Sequence, residues 1–243
     1  MTRRRWIADE SSEDWAALVG AHAEHLVRVL RAQVGQEFDI STGNDVRRGR
    51  IVGISSDRVE FELGEKLEAE SCARITLVLS IFKFDRMEWA IEKCTELGVA
   101  KIIPVIAQRT EKHLASAAMK RAERWQRIAR QGAEQSRRMS APEVAEPVKL
   151  REALEFTGTQ IVLSEVETHS MLKDALPPDG DVVLAFGPEG GWTEGELKSF
   201  QDAGWISASL GKTILRAETA AIVATAIAIS CRADTPVRPA NSI

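Results

Sequence analysis

The apolar positions of this chain follow two rhythms. Over residues 36–63, "QEFDISTGNDVRRGRIVGISSDRVEFEL", apolar and polar residues alternate. A period of two predicts half-buried antiparallel strands. The breaks at Thr42-Gly43-Asn44-Asp45 and Ser55-Ser56-Asp57 predict hairpin turns. Ahead of them, residues 11–31 carry a helical signal, with Ser12 as the cap and Leu26, Val29 and Leu30 at helical spacing. One helix with several short strands predicts a compact β-barrel over residues 1–72.

From Ile75 the rhythm changes. Residues 75–82, "ITLVLSIF", form an unbroken apolar run, and 99–107, 159–165 and 181–187 read the same way. Such runs suit strands buried on both faces of a parallel sheet. Helical segments lie between and after them: 86–98, closing at Gly98 as a C-cap; the long basic stretch 117–138; and 195–204, with 169–176 left unassigned between two strands. Residues 206–211 read as a last short strand. Residues 218–231, "ETAAIVATAIAISC", are apolar nearly all round, so they must be buried in their own domain or against a partner chain. Alternating strands and helices predict an α/β domain over residues 73–243, with a mostly parallel sheet. The polar residues 65–74 read as the linker, and 232–243 as a loose tail.

Composition narrows the class. The chain has 243 residues, 44% hydrophobic and 28% charged, as expected of a globular protein. Cys72, Cys94 and Cys231 are far apart and form no C-x-x-C pair, which points to a reducing, cytoplasmic setting rather than a disulfide framework or zinc site. His22, His25, His113 and His169 supply no metal-ligand spacing. No apolar run approaches the ~18 residues of a membrane span, and the N-terminus lacks the apolar core of a signal peptide. The net charge of −4 hides an uneven distribution: residues 83–140 hold 13 Lys/Arg against 7 Asp/Glu, whereas 141–243 hold 8 against 15. A basic block in an acidic chain is either a footprint for a polyanion or a solvated, self-paired helix face.

Candidate chemistry gathers in three loops that follow strands: "LSEVE" after Val162, "GPEGGW" after Phe186 and "LGKTILRAET" after Ser209. Ligands of open parallel sheets bind beyond the carboxyl ends of the strands, so three loops there predict one pocket. "LGKT" ends like a phosphate-binding loop, but the required first glycine falls on Ile206. The dinucleotide pattern G-x-G-x-x-G is also absent. The glycines of "GPEGGW" still permit close backbone approach to a ligand. Glu189 there disfavours a phosphate and suits an uncharged or cationic group. Thr193 and Glu196 have the spacing of a capping box that starts the next helix.

"FGPEGGWTEGE" followed by "LGKTILRAETA" resembles the paired C-terminal signature of the RsmE-type ribosomal RNA methyltransferases of the SPOUT superfamily. "KFDRMEWAIEKCTELGVAKIIPVIAQRT", the basic "RWQRIARQGAEQSRR" and the N-terminal "HLVRVLR" extend the resemblance over nearly the whole chain. It implies an N-terminal PUA-like β-barrel and an α/β domain with a C-terminal deep trefoil knot, roughly residues 160–232. It further implies S-adenosyl-L-methionine as cofactor, no metal, and methylation of N3 of one uridine in 16S rRNA of the small ribosomal subunit. A homodimer packed through knot helices would bury the last helix.

By the same resemblance, Leu163, Ser164 and Glu165 line the first cofactor loop. Gly187, Glu189, Gly190 and Gly191 form the second. Leu210, Gly211, Ile214, Leu215 and Ala220 form the third. N3 must lose its proton before it accepts a methyl group, so Arg216 and Glu218 are the candidate catalytic residues. Their structural alternative is an ion pair or helix-start cap. Arg3, Arg4, Arg5, Arg31, Arg124, Arg127, Arg137 and Arg138 are candidates for RNA phosphates, while Trp125 is expected in the core. The chain has no tyrosine, which leaves an aromatic stacking platform unsupported. Two other readings stay open: a SPOUT enzyme acting on ribose 2′-oxygens or on tRNA, and a non-catalytic RNA-binding module.

Overall fold

The computed structural model describes residues 5–43, 45–55, 57–67 and 74–231. Arg3, Arg4 and Cys72, and the 72/73 boundary expected from the sequence, lie outside the described residues. The chain forms two compact units, and the first recruits residues 130–141 from far downstream, which no single contiguous cut expresses.

The first unit contains β1 (Arg5–Ile7), β2 (Glu10–Ser11), β3 (Trp15–Val19), the short α1 (Ala21–Glu24), which runs into a π-helical His25–Val29, then β4 (Glu37–Ser41), β5 (Val46–Ile54) and β6 (Arg58–Leu67). The strand order is β1-β4-β5-β6-β3-β2, antiparallel except for the β1–β4 pair. Two neighbouring residues tie its ends together. Ala8 N–H donates to Ser41 O at 2.8 Å and Asp9 N–H to Ala17 O at 2.9 Å, which curls the sheet into a barrel. Trp6, Leu18, Leu26, Ile40, Ile51 and Phe61 fill it.

The structure corrects the helix expected over residues 11–31. Trp15–Val19 is a strand paired along its length with β6, and helix begins only at Ala21. The alanines favour helix locally, but Ala16, Ala17 and Leu18 are fully buried against the long β6, and tertiary packing overrides propensity. Ser12 therefore caps no helix; its N–H bonds Trp15 O in a tight turn at 2.8 Å.

The second unit contains β7 (Ile75–Ser80), α2 (Phe84–Leu97), β8 (Lys101–Ile106), α3 (Lys112–Ala117), the first part of α4 (Ala122–Gln135), β9 (Glu143–Val144), β10 (Val148–Lys149), β11 (Thr159–Leu163), α5 (Leu172–Ala175), β12 (Val182–Phe186), α6 (Glu194–Asp202), β13 (Ile206–Ala208) and α7 (Ala217–Ser230). Its seven strands are all parallel, in the order β10-β8-β7-β12-β11-β13, with β9 also on β8. Alternate residues of β7 enter different cores. Leu77 and Leu79 pack with Ile91, Trp125 and Ala224, while Val78 packs with Val105, Val162, Phe200 and Trp205. Cover on both faces is why these strands read as unbroken apolar runs. Trp125 is fully buried, as expected.

Gly98, at φ 112°, is the left-handed cap of α2. Beneath it α2 packs along α7, where the buried Cys94 thiol meets Thr225 Oγ1 at 3.7 Å. Burial pushes that thiol up to about 12. Only one flank of α7 is closed in: Glu218, Ala221, Ala224, Thr225 and Ala228 are buried. Because β11, β12 and β13 are parallel neighbours, their exits open on the same edge of the sheet.

Candidate functional site

The glycine-rich turn after β12 is fixed from three directions. Within it, Gly191 N–H returns to Pro188 O at 2.8 Å. Below it, Thr193 caps α6: its Oγ1 accepts from Glu196 N–H at 3.2 Å and Glu196 Oε2 accepts from Thr193 N–H at 2.8 Å, the reciprocal pair its spacing predicts. Glu196 Oε1 also accepts from Gln108 N–H at 2.7 Å, which binds the start of α6 to the loop after β8. From that loop Arg109 Nη1 donates to Gly190 O at 2.7 Å and to Trp192 O at 3.3 Å. Finally, Trp192 Nε1 donates to Leu163 O at 3.1 Å, joining the second loop to the first.

Gly191 shows why glycine is needed here. Its φ is 70°, and a Cβ at this position would stand 2.4 Å from Glu165 Oε1. Any other residue would carry backbone strain and push Glu165 away.

The three loops enclose one cavity of about 320 Å³. That lies at the small end of the ~300–1,000 Å³ typical of small-molecule sites. Leu163, Ser164 and Glu165 line it from the first loop, and Gly187, Glu189 and Gly191 from the second. Leu210, Gly211, Ile214, Leu215 and Ala220 line it from the third, together with Arg216. Two expected residues stand apart among the described contacts. Gly190 faces Arg109, whose Cδ would lie 3.4 Å from an added Cβ, and Glu218 is buried without lining the cavity.

One charged lining residue was missed by sequence reasoning. Arg86, in the first turn of α2, places Nη1 2.9 Å from Glu189 Oε1 and Nε 3.8 Å from Glu218 Oε1. Lys83 Nζ lies 3.9 Å from Glu189. Glu218 Oε2 is buried and has no hydrogen-bond partner among the described residues. Arg216, the exposed N-cap of α7, makes no ion pair among them. Arg86 lies within the stretch 83–110 that extended the family resemblance, and just past the carboxyl end of β7, so at the same edge as the loops. Arg109, likewise missed, follows β8.

The fit to a compact organic cation is good. Leu163, Phe186, Leu210, Leu215 and Ala220 offer apolar walls, and Glu165 and Glu189 offer carboxylates. The left-handed Gly191 lets backbone come close. Arg86 and Arg216 line the same cavity, so its two carboxylates are matched by two guanidinium groups and neither sign of charge dominates.

The basic candidates are more self-paired than their charge implies. Arg124 is bidentate to Glu88, at 2.6 and 2.7 Å, and Arg121 adds a contact at 3.5 Å. Arg130 Nη1 meets Asp9 at 2.7 Å, and its Nε meets Glu134 at 3.4 Å. His22 stands between the same two acids, 3.4 Å from Asp9 and 3.8 Å from Glu134. Arg5 donates to Arg137 O. Arg138 is half-buried, while Arg31 and Arg127 are exposed.

Burial works against the charge on Asp9, but hydrogen bonds from His22 and from Val19 N–H, with the charge of Arg130, outweigh it and hold this carboxyl below its ordinary value. For Glu134 burial wins and raises the carboxyl above its ordinary value, despite His22 and Arg130.

Comparison with known proteins matches residues 68–229 to an RNA methyltransferase domain and residues 20–64 to an RNA methyltransferase PUA domain. The ribosomal RNA small subunit methyltransferase E of a Synechocystis species is 33% identical over 222 residues, covering 88% of this chain and 72% of that one. The crystal structure of the protein of that name from Neisseria gonorrhoeae, bound to S-adenosyl methionine, superposes with a TM-score of 0.85 at 32% identity, covering 95% of this chain and 98% of that one. A Legionella pneumophila protein in complex with the bound cofactor SAM gives a TM-score of 0.85 at 27% identity, covering 96% and 99%.

Proposed function

The chain belongs to the RNA methyltransferase family, and on that premise we propose that it methylates N3 of one uridine in 16S rRNA of the small ribosomal subunit, with S-adenosyl-L-methionine as donor. The observation that carries this reading is the convergence of three strand-end loops on one cavity with carboxylates among apolar walls. That donor set suits a methionine-derived sulfonium: Leu163, Leu210, Leu215 and Ala220 for the adenine, backbone of Gly187, Gly191 and Gly211 for hydrogen bonds, and Glu165 and Glu189 for positive charge. Gly190 acts one step back, through its carbonyl held by Arg109. When bound, S-adenosyl-L-methionine supplies the methyl carbon: the N3–C bond forms as the C–S bond breaks, and that bond's electron pair stays on sulfur.

Arg216, at the cavity wall, is a cation available to the uracil. Glu218, buried beneath, supports the site rather than reaching into it. The exposed Arg31 and Arg127, with Arg5, Arg137 and Arg138, are the remaining described candidates for RNA phosphates; Arg124 serves Glu88 first. Two features support a trefoil knot over residues 160–232. The connection from β12 through α6 reaches β13 across β11, and α7 then returns to pack on β7, β12 and α2. The half-open face of α7, with Ile222, Val223 and Ile227, supports a homodimer through this helix. Among the described residues no helix is long and apolar enough to cross a membrane.

Reverse transcription of 16S rRNA from cells with and without this protein tests the proposal. N3 methylation removes the Watson–Crick donor, so a stop is expected at one uridine only when the protein is present. Equal read-through in the two samples refutes it.

A further inference from the structure

Arg86 is the one charged residue lining the cavity to which the sequence reading gave no role, and its bonding is incomplete. A guanidinium carries five N–H donors in a rigid fork. One meets Glu189 at 2.9 Å, Nε stands 3.8 Å from Glu218, and Nη2 is engaged by nothing among the described residues. The Glu218 contact is too long for a hydrogen bond, and it leaves Oε2 of that carboxylate buried and unpartnered. An unsatisfied buried acceptor costs stability. A bridge built only for stability would close that gap. Slack of this kind suits a cation that has a second partner to serve, since catalytic hydrogen bonds are often long until substrate arrives.

The reaction supplies such a partner. Uracil N3 lies between two carbonyl groups. When its proton passes to water, the negative charge spreads over N3, O2 and O4, and it is consumed as N3 takes the methyl group. A planar fork of N–H donors matches an edge of adjacent nitrogen and oxygen acceptors. Fixed inside a half-enclosed cavity, it stabilises that charge more than water does. The charged groups facing Arg86 and the cavity are Lys83, ahead of α2; Glu165; Glu189; Arg216; and Glu218 on α7. Cations and carboxylates there are balanced, so the sulfonium of a bound donor tips the site towards accepting an anion.

We propose that Arg86 is a catalytic residue that holds the N3-deprotonated uracil, with Glu189 and Glu218 as the positioning residues that aim it. The proposal rests on the uridine-N3 reading above and adds the group that makes N3 reactive.

The test uses the full-length protein and small subunits reconstituted with 16S rRNA transcribed from uridine or from 5-fluorouridine triphosphate; the fluorinated base loses its N3 proton more readily. Arg86→Gln is expected to bind S-adenosyl-L-methionine within about twofold of wild type by calorimetry. It should slow single-turnover methyl transfer at neutral pH by about 100-fold, the scale of losing one charge-stabilising donor. The deficit should shrink as pH rises and shrink again on 5-fluorouridine subunits, because a base that ionises unaided needs the guanidinium less. Arg86→Lys should fall between, and Glu218→Gln should reproduce a weaker form of the same pH dependence.

A deficit equal at all pH values and on both RNAs overturns the proposal. So does a loss explained entirely by weaker donor binding, or a wild-type rate in Arg86→Gln. If Arg86→Gln fails to fold, Arg86→Lys carries the same two comparisons. Failure of the underlying reading looks different: wild-type protein would leave N3 unmethylated on both RNAs.

Discussion

Two clusters of charge in this chain are built from nearly the same residue types and differ in how completely they are closed. In the first unit Arg130, His22, Asp9 and Glu134 form a ring in which each acid meets both bases. In the second unit Arg86 and Lys83 face Glu189 and Glu218, yet a guanidinium nitrogen is idle and a buried carboxylate oxygen is unpartnered. The closed ring spends its polar groups on the fold. The open one borders a cavity and keeps bonding capacity in reserve. Pairing completeness, rather than charge density, separates the structural cluster from the chemical one.

The largest expected effect tests the cavity side. Gly191→Val adds a branched side chain at φ 70°, against Glu165. Calorimetry should show affinity for S-adenosyl-L-methionine reduced by at least about 100-fold, or roughly 2.7 kcal/mol. Unchanged affinity in the folded variant would make the turn merely structural and remove half of the contrast. Arg130→Ala tests the other side. It strands two half-buried acids, and denaturant unfolding should show a loss of about 2 kcal/mol, reduced from the full buried-pair cost by partial exposure. Donor affinity should hold. A loss of affinity without a loss of stability would reverse the roles assigned to the clusters.

A finer test uses the opposite displacements of the two acids in the ring. The Asp9 carboxyl is held below its ordinary 3.8, so its contribution is present above that value and is lost as pH falls through the lowered one. The raised Glu134 has the opposite sign: its ionisation opposes folding above its raised value, and that penalty fades as pH falls. Asp9→Asn should therefore destabilise at neutral pH and flatten the acid limb of a melting-temperature profile. Glu134→Gln should cost less or stabilise. Equal costs would mean that the ring acts as one undivided unit.

The smallest effect concerns reactivity. In native protein, alkylation should mark the exposed Cys231 and spare Cys94, whose buried thiol is pushed up to about 12. That protection should persist in Arg86→Gln and Glu218→Gln, read by mass spectrometry of the Cys94 peptide. Labelling of Cys94 in those variants would show that the open cluster also holds α2 on α7.

These contrasts also mark what the sequence could carry. The parallel strands were legible because burial on both faces leaves a continuous apolar run. Gly98 and the Thr193–Glu196 box were legible because capping is local chemistry. Three loops at one strand edge were legible from chain order alone. Trp15–Val19 misled because a stretch with two alanines obeys β6, 39 to 47 residues later. The clusters were invisible for a related reason. Arg86 meets acids 103 and 132 residues downstream, and Arg130 reaches back 121 residues to Asp9. The surplus of positive charge over residues 83–140 left open a polyanion footprint or a self-paired helix face. Folding spends Arg124 and Arg130 internally, because half-buried acids compete for the same guanidinium groups.

The recruitment of residues 130–141 into the first unit has a consequence for how the chain is made. A ribosome releases the N-terminus first, and the barrel strands are all out by Leu67. Asp9 and His22 must still wait for Arg130 and Glu134. By then β7, α2 and β8, which belong to the other unit, have already emerged. The order of synthesis therefore interleaves the two units. A fragment ending at residue 72, though it would hold all six barrel strands, would lack the cation that Asp9 needs.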